Sequence, residues 1–221
     1  AYVGHQDALT FLLQGLEKLE YRGYDSAGVT ILGDQKLTTV KTKGRLQDLI
    51  TILKDQPLHG HVGIGHTRWA THGVPSNLNS HPHSNADETI SIVHNGIIEN
   101  YRELKDELMA HGYTFQSETD SEVVVQMLDY YYSDDLLAAT RQTLARIEGS
   151  YALCILSTHE PDKIIVARKD SPLIIGEAQG AYVAASDIPA LLEYTKNVYF
   201  LEDNELAVLK AESITFYNQQ G

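Results

Sequence analysis

His61-Val62-Gly63-Ile64-Gly65-His66-Thr67-Arg68-Trp69-Ala70-Thr71-His72-Gly73 is the stretch around which the chain is organised. Its first five residues form an apolar, glycine-bearing run that reads as a buried strand. The octet that follows puts imidazoles, a guanidinium, hydroxyls and an indole where that strand gives way to a loop. Such junctions commonly carry binding chemistry on a rigid scaffold. Arg68 is central, because its planar fork of donors suits a carboxylate better than a lysine point charge does. The plainer reading pairs Arg68 with an internal Asp or Glu and leaves the histidines merely hydrogen-bonded. A second junction of this kind lies downstream. Residues 89–94 alternate, with Ile90, Ile92 and His94 on one side, and run straight into Asn95-Gly96. Residues 62–67 and 89–94 are therefore expected as strands flanking one pocket.

Working outward, Asp7 is placed to cap a helix reaching about Glu20, with Ala8, Leu12, Leu16 and Leu19 on one face. Gly15 inside it costs roughly 1 kcal/mol against Ala, which points to a close neighbour. A polar, glycine-punctuated turn over residues 20–28 feeds a strand at 29–32. Gly33-Asp34 offers a hairpin turn into a second strand at 37–41. Residues 45–53 read as a short helix stopped by Pro57 and Gly60. The Pro-, Ser-, Asn- and His-rich run 74–88 reads as a long loop, either a functional flap or disordered. Asn100 with Glu103, and Thr119 with Glu122, resemble capping boxes opening two helices. On that reading Asp120 lies in the first turn of the second. A third helix fits 134–146. The remainder reads as strands at 151–156, 164–167, 173–175, 182–185, 206–209 and 214–217, with one short helix near 189–194. Interspersed helices with few strict strand–helix–strand units argue an α+β fold built on antiparallel sheets.

The 221 residues suffice for a full core. A formal net charge of -13 argues against sequence-independent binding to nucleic acid or anionic membrane. No apolar run is long enough to span a bilayer and no secretory signal opens the chain, so a cytoplasmic location is expected. A single cysteine rules out a disulfide framework, and Cys154, inside an apolar strand, reads as core packing. Ten histidines raise the possibility of metal, yet no His-x-x-x-His pair or thiolate cluster is present, and no metal or cofactor is expected.

Asn95-Gly96 after a strand can be an ordinary turn. It can also be an oxyanion hole, since a side-chain amide and a glycine N–H converge there and glycine lets the backbone approach closely. Asp120 is either a helix-dipole carboxylate or an ammonium ligand. In combination, Arg68 and Asp120 would grip the two ends of a zwitterionic amino acid while Asn95 and Gly96 face a carbonyl at the far end of its side chain. His81-Pro82-His83 reads as structural or lid-forming. Tyr130-Tyr131-Tyr132 reads as a helix end, part core and part surface.

Residues 21–28, the octet 66–73, His94-Asn95-Gly96-Ile97-Ile98-Glu99-Asn100 and Glu118-Thr119-Asp120 resemble, in order and spacing, one known family. It is the glutaminase domain of the glucosamine-6-phosphate synthases, also called glutamine–fructose-6-phosphate aminotransferases (isomerising). The similarity runs through nearly the whole chain, including Gly149-Ser150-Tyr151 and Ala185-Ser186-Asp187. Amidotransferases for phosphoribosylamine and asparagine share the fold, whereas Trp69, Tyr24 and residues 97–100 look specific to the hexosamine enzymes. The resemblance implies an Ntn-hydrolase αββα sandwich, two antiparallel sheets between helical layers. It implies glutamine hydrolysis through a γ-glutamyl thioester, with an N-terminal cysteine as nucleophile and its own α-amino group as base. Carried over, Arg68 holds the glutamine carboxylate and Asp120 its ammonium, and Asn95 with the Gly96 N–H forms the oxyanion hole. Thr71 and His72 line the pocket, Trp69 gates ammonia passage and Arg22 orders the N-terminus.

Family members begin Cys-Gly-Ile-Val before a segment matching Tyr2-Val3-Gly4. Residues 1–221 are accordingly expected to be a class II amidotransferase domain without its first few residues and without the sugar-isomerase domain. Such a piece is expected to be inactive. The implied partners are L-glutamine and, through the isomerase domain alone, fructose 6-phosphate, with the full-length enzyme a homo-oligomer. The alternatives are a catalytically inactive amino-acid-binding regulatory domain, the glutaminase domain of another class II amidotransferase, and a histidine-based metal protein.

Overall fold

Two antiparallel sheets lie face to face, and helices cover the outer face of each. The structure, a computed structural model, describes residues 1–70 and 73–218. The elements in chain order are β1 (Tyr2–Gly4), α1 (Ala8–Leu19), β2 (Ser26–Gly33), β3 (Lys36–Lys43), α2 (Leu46–Asp55), β4 (Val62–Arg68) and β5 (His83–Ser84). There follow β6 (Ile90–Ile98), α3 (Tyr101–Ala110), α4 (Glu122–Tyr131), α5 (Leu136–Leu144), β7 (Gly149–Ser157), β8 (Lys163–Lys169) and β9 (Ile174–Ala178). Last come β10 (Ala181–Ala185), β11 (Asn197–Phe200), β12 (Glu205–Lys210) and β13 (Ser213–Tyr217). The first sheet has the order β11-β9-β10-β1-β4-β2-β3, the second β13-β12-β8-β7-β6-β5. No helix among the described residues is long and apolar enough to cross a membrane.

Strand alternation sorts the side chains into three apolar layers. Val3, Ile64, Val93, Cys154 and Val166 meet between the sheets. Leu12 and Leu16 of α1 and Leu49 of α2 pack on Val29 and Ile31 behind the first sheet. Leu104, Met127 and Leu136 pack on Ile90, Ile92 and Leu153 behind the second. This is the αββα sandwich expected. Cys154 is core, as its strand suggested, and burial pushes its thiol up from its ordinary value. The Asp7 carboxylate caps α1 by accepting from the Thr10 N–H at 2.9 Å.

Several expectations are corrected. The hairpin turn falls on Asp34-Gln35, both at positive φ (50° and 60°), one residue later than Gly33-Asp34. The strand expected at 62–67 forms, and β4 runs one residue further, to Arg68. β6 does not end at Asn95-Gly96: it runs to Ile98, with Asn95 opposite Ala152 and Gly96 opposite Tyr151, so the ordinary-turn reading fails. Neither capping box forms. The Asn100 side chain instead donates to the Arg146 carbonyl (2.8 Å) and accepts from the Glu148 N–H (3.0 Å). Glu122 accepts from the Gln116 and Ser117 N–H groups, and α4 begins after Asp120 rather than around it. Gly15 has ordinary room, since a Cβ there would lie 3.8 Å from the Ala190 carbonyl oxygen. The short helix near 189–194 is a single 3-10 turn at Ile188–Ala190.

The 74–88 run is neither open flap nor disorder over its described length. Lys41 donates to the Ser80 and Pro82 carbonyls at 2.8 and 3.0 Å. Asn79 exchanges hydrogen bonds with Glu118, and Asn85 accepts from Thr89 and Ile90. Gly28 permits this close seating: a Cβ there would lie 2.2 Å from the His81 carbonyl oxygen.

Candidate active site

A cavity of about 210 Å³ opens between the sheets at the C-terminal end of β4. Arg22, Arg68, Trp69, Asn95, Gly96 and Asp120 all line it. Six of the eight residues singled out from the sequence are thus brought to one place. The other two, Thr71 and His72, lie outside the described residues.

β4 carries Val62 and Ile64 toward the second sheet, so period-two alternation sends His66 and Arg68 the same way. Arg68 is 4% exposed and donates to the Gly73 carbonyl at 3.1 Å. Burial lowers its guanidinium from the ordinary value, and the carboxylates of Asp25 and Asp120 oppose that. Asp25 also binds the end of β4. Its N–H donates to the Arg68 carbonyl at 3.0 Å, and its carboxylate accepts from the Ala70 N–H. Asp120 faces in from the turn before α4, 3% exposed, and accepts from the Ile98 N–H at 2.7 Å. Arginine therefore reaches the cavity from a strand of the first sheet, and aspartate from the turn before α4, the helix packed behind the second.

Asn95 lies on β6 with Oδ1 2.7 Å from His66 Nε2. Gly96 has φ +128°, and a Cβ there would come within 2.2 Å of the Ser150 carbonyl oxygen. Only glycine suits that position. At the mouth, Trp69 is 61% exposed and meets Tyr24 edge-on at 5.3 Å. Arg22 pairs with Asp187 at 3.4 Å, and Tyr21 donates to the same carboxylate at 2.6 Å, tying the 20–22 turn to the segment after β10.

Sequence reasoning missed the depth of the histidine cluster behind these residues. His66 stacks on His81 at 4.3 Å, and His81 meets His83 edge-on at 4.6 Å. His83 Nε2 lies 3.1 Å from Thr119 Oγ1, and His94 Nδ1 lies 2.7 Å from Ser121 Oγ. Burial dominates in all four: His66 is lowered to about 4, His81 and His83 fall well below the ordinary value, and His94 falls despite Asp120. The cluster is therefore uncharged at neutral pH. The one signal available was parity, since His66 shares the face of Arg68. Among the described residues no group of three or more His, Cys, Asp or Glu is arranged to hold a metal ion.

The chain's beginning sits in the same cavity. Ala1 exchanges hydrogen bonds with Ala184, its nitrogen donating at 2.8 Å and its carbonyl accepting at 3.0 Å. On the other side Tyr2 pairs with Gly63 and Val3 with Val62, which places the cavity on the line of β1 between β10 and β4.

Comparison with known proteins gives consistent findings. A family described as "Glutamine amidotransferase domain" matches residues 66–193. The chain is 53% identical over 220 residues to a glutamine–fructose-6-phosphate aminotransferase (isomerizing) of Clostridium acetobutylicum, covering 100% of this chain and 36% of that protein. With the enzyme of that name from Clostridium perfringens the identity is 53% over 219 residues, 99% of this chain and 36% of the relative. The chain therefore spans about a third of the length of these relatives. Among solved structures, glutamine phosphoribosylpyrophosphate amidotransferase from B. subtilis superposes with a TM-score of 0.86 at 27% identity, over 99% of this chain and 48% of that one. The sandwich is thus the Ntn type found in amidotransferases, and with more than half its length matched by the domain family, the chain belongs to the glutamine amidotransferases.

Proposed function

We propose that this chain is the glutaminase domain of a longer, cytoplasmic enzyme. It hydrolyses L-glutamine to glutamate and ammonia. In the full-length, homo-oligomeric protein the ammonia serves conversion of fructose 6-phosphate to glucosamine 6-phosphate. The names of the relatives support that substrate pair. The observation that carries the glutaminase reading is the convergence of Arg68, Asp120, Asn95 and Gly96 on one cavity in line with β1.

In this reading Arg68 receives the α-carboxylate of glutamine and Asp120 its ammonium. The register supports a position for the nucleophile. Continued upstream at the β1–β4 pairing, each residue before Ala1 advances one residue along β4, and the fourth stands opposite Arg68. Its parity is that of Ala1 and Val3, whose side chains pack between the sheets, so it faces β6 and Asn95. A Cys-Gly-Ile-Val extension puts its cysteine there. The thiol gives its proton to its own α-amine and sulfur attacks the side-chain carbonyl carbon. Asn95 and the Gly96 N–H stabilise the oxyanion. Collapse breaks the C–N bond, the α-ammonium returns the proton and ammonia leaves. Water then hydrolyses the thioester, giving glutamate and the free thiol. In the same reading Trp69, which is exposed, gates ammonia passage, and Arg22, paired with Asp187, orders the chain start.

The test measures ammonia release from glutamine by three polypeptides: residues 1–221, the same chain extended by Cys-Gly-Ile-Val, and the extended chain with Cys154→Ser. The first is expected to be silent, since the methyl group of Ala1 cannot attack. A preorganised site lacking its nucleophile retains only roughly 10³–10⁴ over the uncatalysed rate, by analogy with triad proteases. The second and third are expected to be active. Activity in the first, or loss in the third alone, overturns the assignment of the nucleophile. Silence in all three favours an inactive amino-acid-binding domain.

A further inference from the structure

The His66–Asn95 contact decides which end of an amide faces the reacting oxygen. His66 is half-buried with its Nδ1 shut off from solvent, its ring lies flat on His81, and its Nε2 lies 2.7 Å from Asn95 Oδ1. Its Nδ1 has no partner among the described residues. A neutral imidazole carries one proton, and two arrangements exist. With the proton on Nδ1, an N–H would be buried without an acceptor, and Nε2 could only accept from the Asn95 amide. The amide oxygen would then turn toward the cavity and repel a developing oxyanion. With the proton on Nε2, only a bare lone pair is left unpartnered, and buried orphan acceptors are tolerated more readily than buried orphan N–H groups. Nε2–H then donates to Asn95 Oδ1, and the Asn95 NH₂ is left facing the cavity.

We infer that His66 is a positioning residue: its Nε2–H holds the oxygen of Asn95 and so aims the amide NH₂ at the substrate oxygen. The inference rests on the glutaminase reading and adds a residue to it. Stacking on His81 fixes the plane of the ring, so the donor direction does not wander. Burial keeps the imidazole neutral down to about 4, so the same tautomer serves across the neutral range.

The tautomer is read first, by long-range proton–nitrogen correlation NMR on the 221-residue chain, independently of catalysis. The proton is expected on Nε2 of His66, and a proton on Nδ1 overturns the inference by itself. Kinetics follow in the chain extended by Cys-Gly-Ile-Val. His66→Phe keeps the ring and removes the donor. It is expected to lower kcat toward the roughly 10²–10³-fold loss typical of a missing oxyanion donor, with the KM for glutamine within about twofold. His66→Gln restores a terminal N–H donor and is expected to recover most of the lost kcat. Combining His66→Phe with Asn95→Ala should be no slower than Asn95→Ala alone, because the first acts only through the second. Fully additive losses, a KM effect without a kcat effect, or a Gln variant no better than Phe would each overturn the role. If the unsubstituted extended chain releases no ammonia, the glutaminase reading falls and takes this role with it, and the NMR result still shows whether the hydrogen bond is oriented as argued.

Discussion

Arg68 meets the cavity as a buried guanidinium whose neighbouring charges are Asp25 and Asp120, and that shapes what replacing it should do. Arg68→Lys keeps the charge but substitutes one point donor for a fork. A charge-assisted hydrogen bond is worth about 1.5–3 kcal/mol, so glutamate should bind the extended chain about ten- to a hundredfold more weakly by calorimetry. Unchanged affinity would remove Arg68 from the carboxylate. At this scale the sequence was informative where residue type alone restricts the chemistry. An arginine fork at a strand end, an amide beside a glycine and a lone carboxylate near a helix start were each visible. The bond from His66 to Asn95 was not, because it joins two sheets through residues 29 apart in sequence. Nor was the burial of His81 and His83. A loop rich in Ser, Asn and Pro reads as a flap or as disorder, yet here Asn79, Asn85 and Lys41 satisfy its polar groups from within.

Among the elements, two glycines should respond to alanine in opposite directions. In α1, Gly15 has ordinary room for a methyl, and helix propensity should dominate. Gly15→Ala is expected to stabilise by roughly 0.5–1 kcal/mol in urea unfolding. Gly28 on β2 has the His81 carbonyl oxygen 2.2 Å from its virtual Cβ, and that backbone is held by Lys41. Gly28→Ala should therefore destabilise by about 1–3 kcal/mol, typical of overpacking, and shift the His81 and His83 resonances. Equal effects at both positions would mean that the loop yields freely. Longer elements were legible from period alone, as α1, α2, β6 and β7 illustrate. The three-residue β1 and two-residue β5 are too short to alternate, and β11 is an edge strand with little buried surface. Both capping boxes failed because the side chains are engaged elsewhere: Asn100 bonds across the fold to Arg146 and Glu148, and Glu122 accepts from the loop N–H groups of Gln116 and Ser117. Local pattern could not see that competition.

For the molecule as a whole, the buried histidines link stability to pH. Unfolded imidazoles take up protons below about 6.5, whereas His66 in the folded state resists until about 4 and His81 and His83 resist further. The unfolded state thus binds more protons in this window, so stability is greatest above it and falls as pH drops. Each such histidine contributes up to about 1.4 kcal/mol per pH unit. Urea midpoints should decline steeply from pH 7 to pH 5, and His81→Phe should flatten the decline. A profile already flat in the parent chain would mean that the cluster is hydrated. The αββα plan itself was legible, because it needs only the apolar alternation of long strands and the stripes of five helices. One feature of that plan bears on how the chain is made. β1 lies between β4 and β10, and Ala1 bonds to Ala184, 183 residues away. On a ribosome adding 5–20 residues per second, the first strand waits roughly 10–40 s for its second neighbour to emerge. Until then one edge of β1 stays unpaired and the cavity has one wall too few. The nascent domain therefore cannot complete its pocket before most of it has been translated.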